Sequence, residues 1–228
     1  MPNRQLPLPL EYRPSLAGED FLVAPCNRNA VRWLDRWPDW PTRALLVHGS
    51  SGCGKTHLAH VFLNRCRGML VDQGALGLDQ TIDVAARSAA CIIDDADRAV
   101  AAGLEVPLLH LHNALVEQGG CLLLTAEEAP ARWPIRLADL RSRLNAVNSV
   151  AIGPPDDDLI AGVMVKLFTD RRLVVDDDVI RYALPRIERS FAAARRLVAE
   201  LDTAALGNRR KVTLSLVRSV LNSAAGAA

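Results

Sequence analysis

Ala44-Leu45-Leu46-Val47-His48-Gly49-Ser50-Ser51-Gly52-Cys53-Gly54-Lys55-Thr56-His57 is the stretch whose reading decides the fold. Its first four residues are apolar without polar alternation, which is the texture of a strand buried on both faces. The octet Gly49 to Thr56 then follows the GxxxxGK[ST] pattern of a phosphate-binding loop. Over residues 56–66 apolar positions return every three or four residues, as on an amphipathic helix. The residue types have physical reasons. Glycines let the backbone curl until successive N–H groups point at phosphate oxygens, and the N-terminus of the helix adds a partial positive charge. Lys55 is expected to reach the β- and γ-phosphates of a nucleotide, and the Thr56 hydroxyl to ligate Mg²⁺. Gly49, Ser50, Ser51, Gly52, Cys53, Gly54, Lys55, Thr56 and the adjoining His57 form the expected phosphate-binding set. Average residue usage produces such an octet by chance in about one chain of this length in a hundred, before a strand and a helix are required around it.

Outward from this stretch, further non-alternating apolar runs cover residues 69–71, 91–93, 121–124 and 147–152, with helix-length segments such as 108–117 between them. This is a βαβ rhythm and predicts an α/β fold with a parallel sheet. Trp33, Trp37 and Trp40 are expected to pack a helix onto that sheet. The texture changes at Gly153-Pro154-Pro155. Beyond it, Asp156 to Asp158, Asp176 to Asp178, Ser190 and Thr213 are each placed to begin a helix, the last ending near Asn222. The layout expected is an arm over residues 1–19, an α/β base over 20–153 and a helical region over 154–228.

The chain's 228 residues, at about 150 per domain, suit one large domain with a small appendage. Half the residues are apolar and 27 Lys+Arg balance 26 Asp+Glu, which excludes a disordered chain and a basic nucleic-acid coat. Only Lys55, Lys166 and Lys211 are lysines, so position matters more than count. No stretch approaches the ~20 apolar residues of a membrane span, and prolines at positions 2, 7 and 9 interrupt the first ten residues where a signal peptide needs an unbroken apolar core. A cytoplasmic location is expected. Five cysteines without a CxxC pair indicate neither a disulfide framework nor a zinc knuckle.

A phosphate loop needs an acidic partner for its metal at the end of a neighbouring strand. Cys91-Ile92-Ile93-Asp94-Asp95 supplies it. Asp94 is the expected Mg²⁺ residue beside Thr56, and Asp95 the general base that polarises attacking water.

Further stretches accompany these two motifs: Phe21-Leu22-Val23-Ala24-Pro25-Cys26-Asn27-Arg28-Asn29-Ala30, LLHLHNALVEQGG over residues 108–120, Thr125-Ala126-Glu127, and Asp139-Leu140-Arg141-Ser142-Arg143-Leu144. In this order they resemble the DnaA/Hda family of AAA+ ATPases, over essentially residues 5–222, and in particular its short regulatory branch. The resemblance implies an AAA+ base with a parallel five-stranded sheet, an all-α lid, and bound ATP or ADP with Mg. It implies that Phe21, Val23 and Asn27 lie against the adenine. Glu127 stands at the first sensor, where the family usually has Asp, and Arg143 is the arginine finger, presented in trans to a neighbouring subunit's nucleotide. Ala192 stands where the second-sensor arginine is usual, with Arg195 one turn further along the same helix face. That departure implies weak self-hydrolysis.

The opening hexapeptide Gln5-Leu6-Pro7-Leu8-Pro9-Leu10 is held extended by its prolines. It is similar to the family's clamp-binding peptide, implying contact of Gln5, Leu6, Leu8, Pro9 and Leu10 with the β sliding clamp. The implied partners are DnaA and the clamp, with DNA reached through the clamp; self-association is left open and a membrane role is not expected. The implied function is regulation of replication initiation through hydrolysis of DnaA-bound ATP. Two alternatives stand beside it: a helper ATPase acting directly on DNA, and a self-sufficient P-loop kinase. With six residues after Asn222, an appended DNA-binding domain of the kind the first of these would use is not expected.

Overall fold

A computed structural model describes residues 11–13, 21–72, 76, 88–205 and 211–225. The non-alternating apolar runs become strands β3 (Ala44–His48), β4 (Met69–Leu70), β5 (Ala90–Ile93), β6 (Cys121–Ala126) and β7 (Asn148–Ala151). They form one parallel sheet in the order β4-β5-β6-β3-β7. β5 and β6 are buried along their whole length and β3 over its first four residues, whereas β4 and β7 at the sheet edges are partly exposed. Before the sheet lie the short strands β1 (Glu11–Arg13) and β2 (Phe21–Val23).

Successive side chains of a strand point to opposite faces, so each central strand feeds two cores. Leu46, Cys91, Ile93, Leu122 and Leu124 pack on one face against helices α3 (Ala96–Ala101), α4 (Glu105–Glu117) and α5 (Ala138–Ala146). Leu45, Val47, Ile92 and Leu123 pack on the other against α1 (Arg28–Asp35) and α2 (Lys55–Cys66). The tryptophans join this second core through α2: Trp40 stacks on Phe62 at 5.3 Å between centroids, and Trp37 meets the same ring edge-on at 5.9 Å. Trp40 also donates its indole N–H to the Trp33 carbonyl at 2.8 Å.

The described chain divides into two compact units, residues 13–153 and the helical residues from 154 onward, with residues 11–12 grouped with the latter. The second unit holds α6 (Asp157–Asp170), α7 (Asp177–Ala183), α8 (Phe191–Ala205) and α9 (Leu214–Ala225) around Ile160, Met164, Phe168, Leu197 and Val198. Three of the anticipated helix starts carry side-chain caps: Asp156 accepts from Leu159 N at 2.8 Å, Ser190 from Ala193 N at 3.1 Å and Thr213 from Leu216 N at 3.4 Å. Asp176 precedes α7 in extended backbone without such a bond. The unit also contains a two-residue parallel ladder, Val174↔Lys211 and Val175↔Val212, too short to leave a periodic pattern in sequence.

Candidate functional site

The loop after β3 is shaped by close approach as much as by glycine torsions. Gly49 donates its N–H to Ala126 O at 3.1 Å. A Cβ there would stand 2.4 Å from Ile152 O and 2.9 Å from Cys53 Sγ, so no side chain fits. Gly52 and Gly54 hold φ at 74° and 102°, the left-handed region that suits glycine. Lys55, the first residue of α2, is 6% exposed, and its Nζ donates to Gly49 O at 2.8 Å and Ser50 O at 3.1 Å. The buried ammonium is thus satisfied by the loop's own carbonyls, poised over the turn. No side chain caps α2, and its first turn has no acidic residue, so its N-terminal N–H groups suit an external anion.

Neighbouring groups are tuned by the same surroundings. Burial, and secondarily the Lys55 charge, holds the His48 imidazole below its ordinary value and so neutral at pH 7. Burial pushes the Cys53 thiol up despite Lys55, leaving an unreactive filler beneath the loop. His57 is half-buried on α2.

The acidic partners arrive by register. Ile93 pairs with Leu124, so the next residues, Asp94 and Thr125, emerge side by side. One carboxylate oxygen of Asp94 accepts from the Thr56 hydroxyl at 2.8 Å, and the other accepts from the Thr125 hydroxyl. The Thr125 oxygen accepts in turn from Asp95 N at 2.9 Å. Asp95 stands at φ 52° before α3, ion-paired to Arg98 at 3.4 Å. Burial, followed by the adjacent Asp94 charge, raises its carboxyl above the ordinary range. Thr56 and Asp94 together present hydroxyl and carboxylate oxygens, the donor set that a hard divalent cation such as Mg²⁺ takes.

Thr125 is the site residue that sequence reasoning passed over in favour of Glu127. Glu127 is exposed; its N–H donates to Asp97 at 2.9 Å and its carboxylate lies 3.5 Å from Arg98. Among the described residues it makes no hydrogen bond to Asp94, Asp95 or the loop. The available signal was a threonine at the end of a fully buried strand, where a polar side chain needs a partner.

On the expected adenine side, Asn27 is 3% exposed and bound to the backbone of its own turn: Oδ1 accepts from Ala24 N and Nδ2 donates to Leu22 O, both at 2.9 Å. Val23 is in the core at 5% exposure. Asn27 thereby fixes the turn over residues 22–27, and Val23 packs beneath it in the core. Phe21 is described as backbone in β2 only. The segment is tied beside the sheet by Gly153 N donating to Cys26 O at 3.0 Å.

Arg143 lies on α5, half-exposed, with Nε donating to Asp139 at 3.2 Å, and no described hydrogen bond joins it to the phosphate loop of its own chain. In the helical unit Ala192 and Arg195 are both exposed on the first turn or so of α8. Gln5, Leu6, Leu8, Pro9 and Leu10 lie outside the described residues.

Residues 163–221 match the family model of the Hda lid domain. An uncharacterised protein of Haemophilus influenzae is 25% identical over 236 residues, covering 96% of this chain and 99% of that protein. Domain III of the replication initiation protein DnaA from Thermotoga maritima superposes with a TM-score of 0.75 at 17% identity, over 89% of this chain and 94% of that one. AMPPCP-bound DnaA from Aquifex aeolicus gives 0.65 at 16% identity, over 83% of this chain and 66% of that one.

Proposed function

We propose that the chain, whose residues 163–221 match the Hda lid model and whose fold is that of DnaA domain III, is an AAA+ protein of the DnaA/Hda family that restrains replication initiation by promoting hydrolysis of ATP held on DnaA. The observation that carries the reading is the combination, in one chain, of a match to the Hda lid over residues 163–221 with a phosphate-binding loop that, among the described residues, makes no hydrogen bond to the chain's own Arg143. An arginine kept for use in trans has this arrangement.

In this reading an adenine nucleotide is held by the loop amides of residues 49–54 and by Lys55, which exchanges its bonds to Gly49 O and Ser50 O for phosphate oxygens. Thr56 and Asp94 would hold Mg²⁺, which would supply charge neutralisation at the phosphates. The nucleotide's role is to set conformation, because Ala192 offers no guanidinium where the family's lid usually has one, and turnover by the isolated chain is accordingly weak. Arg143 leaves Asp139 and reaches the γ-phosphate of ATP on DnaA, where a guanidinium neutralising developing charge is worth about 10³–10⁵ in rate in related hydrolases. The Gln5 to Leu10 peptide docks on the β sliding clamp and so concentrates the chain on replicated DNA.

The test mixes ATP-loaded DnaA with the protein and clamp-loaded DNA. Wild type should accelerate hydrolysis and Arg143→Ala should not; equal stimulation by the two would overturn the finger assignment. Deleting residues 5–10 should abolish retention on an immobilised clamp.

A further inference from the structure

Arg143 can act in trans only if α5 is held at a fixed angle, yet α5 begins without a cap of its own. Leu137 occupies its N-cap position, in extended backbone, and no side-chain hydrogen bond closes the first turn from within. Helix N-termini leave several N–H groups without intrahelical partners, and an apolar residue at the cap cannot satisfy them.

One of these groups, the N–H of the N-cap residue Leu137, finds its acceptor on another helix. Glu105, the first residue of α4, is only 9% exposed and does not cap its own helix. Its carboxylate crosses to the segment before α5, accepting from Leu137 N at 2.6 Å and from Arg136 N at 3.0 and 3.1 Å through both oxygens. A second tie closes the same turn, since Arg141 donates its guanidinium to the Ile135 carbonyl. The apolar face of α5, Leu140 and Leu144, is seated in the core with Leu108 and Leu111 of α4. Along α4, seven residues and two turns beyond Glu105, lies the buried His112, whose imidazole is held below its ordinary value by burial first and, to a smaller extent, by the Arg143 charge. The inner face of α4 therefore underlies α5 from its start to the level of Arg143.

Buried carboxylates are costly unless fully bonded, and charge-assisted bonds to backbone N–H groups are short and directional. An acid spent in this way on a loop 31 and 32 residues distant is well suited to hold an angle. We propose that Glu105 is a positioning residue for the trans-acting arginine, a cap donated by α4 that sets the direction from which α5 presents Arg143. This rests on the reading of Arg143 as the finger.

Two measurements keep the inference separable from that reading. In the isolated protein, Glu105→Ala should speed amide hydrogen exchange at residues 136–143 while leaving residues 55–66 and ADP affinity unchanged. Unaltered exchange at 136–143 overturns the anchoring. In the DnaA assay, Glu105→Ala should lower the maximal stimulated rate at least about tenfold with little change in the DnaA concentration needed for half-effect, because a misdirected group costs turnover more than binding. Glu105→Gln, which keeps one carbonyl acceptor, should recover part of the rate, and Glu105→Ala should add nothing in an Arg143→Ala background. Loss in Arg143→Ala with full activity in Glu105→Ala overturns the positioning role. Full activity in Arg143→Ala overturns the finger reading, and with it any role for Glu105 in aiming that residue.

Discussion

Thr125 and Asp95 form a small polar relay at the mouth of the sheet. The threonine hydroxyl donates to Asp94 and accepts from Asp95 N, so one side chain sets both the carboxylate beside Thr56 and the backbone of the neighbouring acid. Thr125→Val keeps the shape but leaves a half-buried N–H without its acceptor; it should weaken Mg²⁺-dependent nucleotide binding, read by ADP titration with and without Mg²⁺, while Thr125→Ser restores it. Asp95 carries a stability consequence. Its carboxyl is raised in the folded chain, first by burial and then by Asp94, so the charged form is disfavoured by folding. The stabilisation associated with the neutral acid is complete below the ordinary carboxyl value of 3.8 and is lost as pH rises through the raised folded value. Asp95→Asn should therefore raise the melting temperature at pH 7 and flatten the pH dependence of stability across that window. An unchanged melting profile would contradict this.

At the scale of elements, the phosphate-loop helix is held by its aromatic back. Phe62 on α2 is 1% exposed, stacked on Trp40 and edge-on to Trp37. Phe62→Ala should cost about 3–5 kcal/mol in urea unfolding, and a cost below about 1 kcal/mol would mean that the site collapses around the loss. Ser190 caps α8 through Ala193 N. Its replacement by Ala should cost about 1 kcal/mol, with the loss confined to the helical unit. Much of this level was legible in the chain. The strands showed as unbroken apolar runs because burial on both faces removes polar alternation, and the caps showed because Asp, Ser and Thr bond locally to N–H groups three residues on. The two-residue ladder of Val174 and Val175 with Lys211 and Val212 was not legible, since two residues carry no period. Nor was the start of α5, whose cap comes from Glu105 on a different helix.

For the whole molecule, the α/β base and the helical residues, of which 163–221 match the Hda lid model, are two compact units, and the phosphate-binding loop pattern belongs to the first. A ligand that binds only the folded base stabilises it by mass action, about 2.7 kcal/mol at a hundred times its dissociation constant. Mg-ADP should accordingly raise the thermal transition of the wild-type chain and leave that of Lys55→Ala unmoved; an equal shift in both would place the nucleotide elsewhere.

The residues of this chain determined by themselves whatever depends on near neighbours: a phosphate loop with glycines at φ 74° and 102°, a lysine opening the next helix, apolar strands, and helices begun by Asp and Ser. The tertiary structure alone decided which distant residues share a bond. The strand order places β6 between β3 and β5, and so sets Thr125 rather than Glu127 against Asp94. Asn27 turns inward to its own loop and Glu105 reaches across to α5 for the same reason. A buried polar atom must find a partner, and only packing determines which one is within reach.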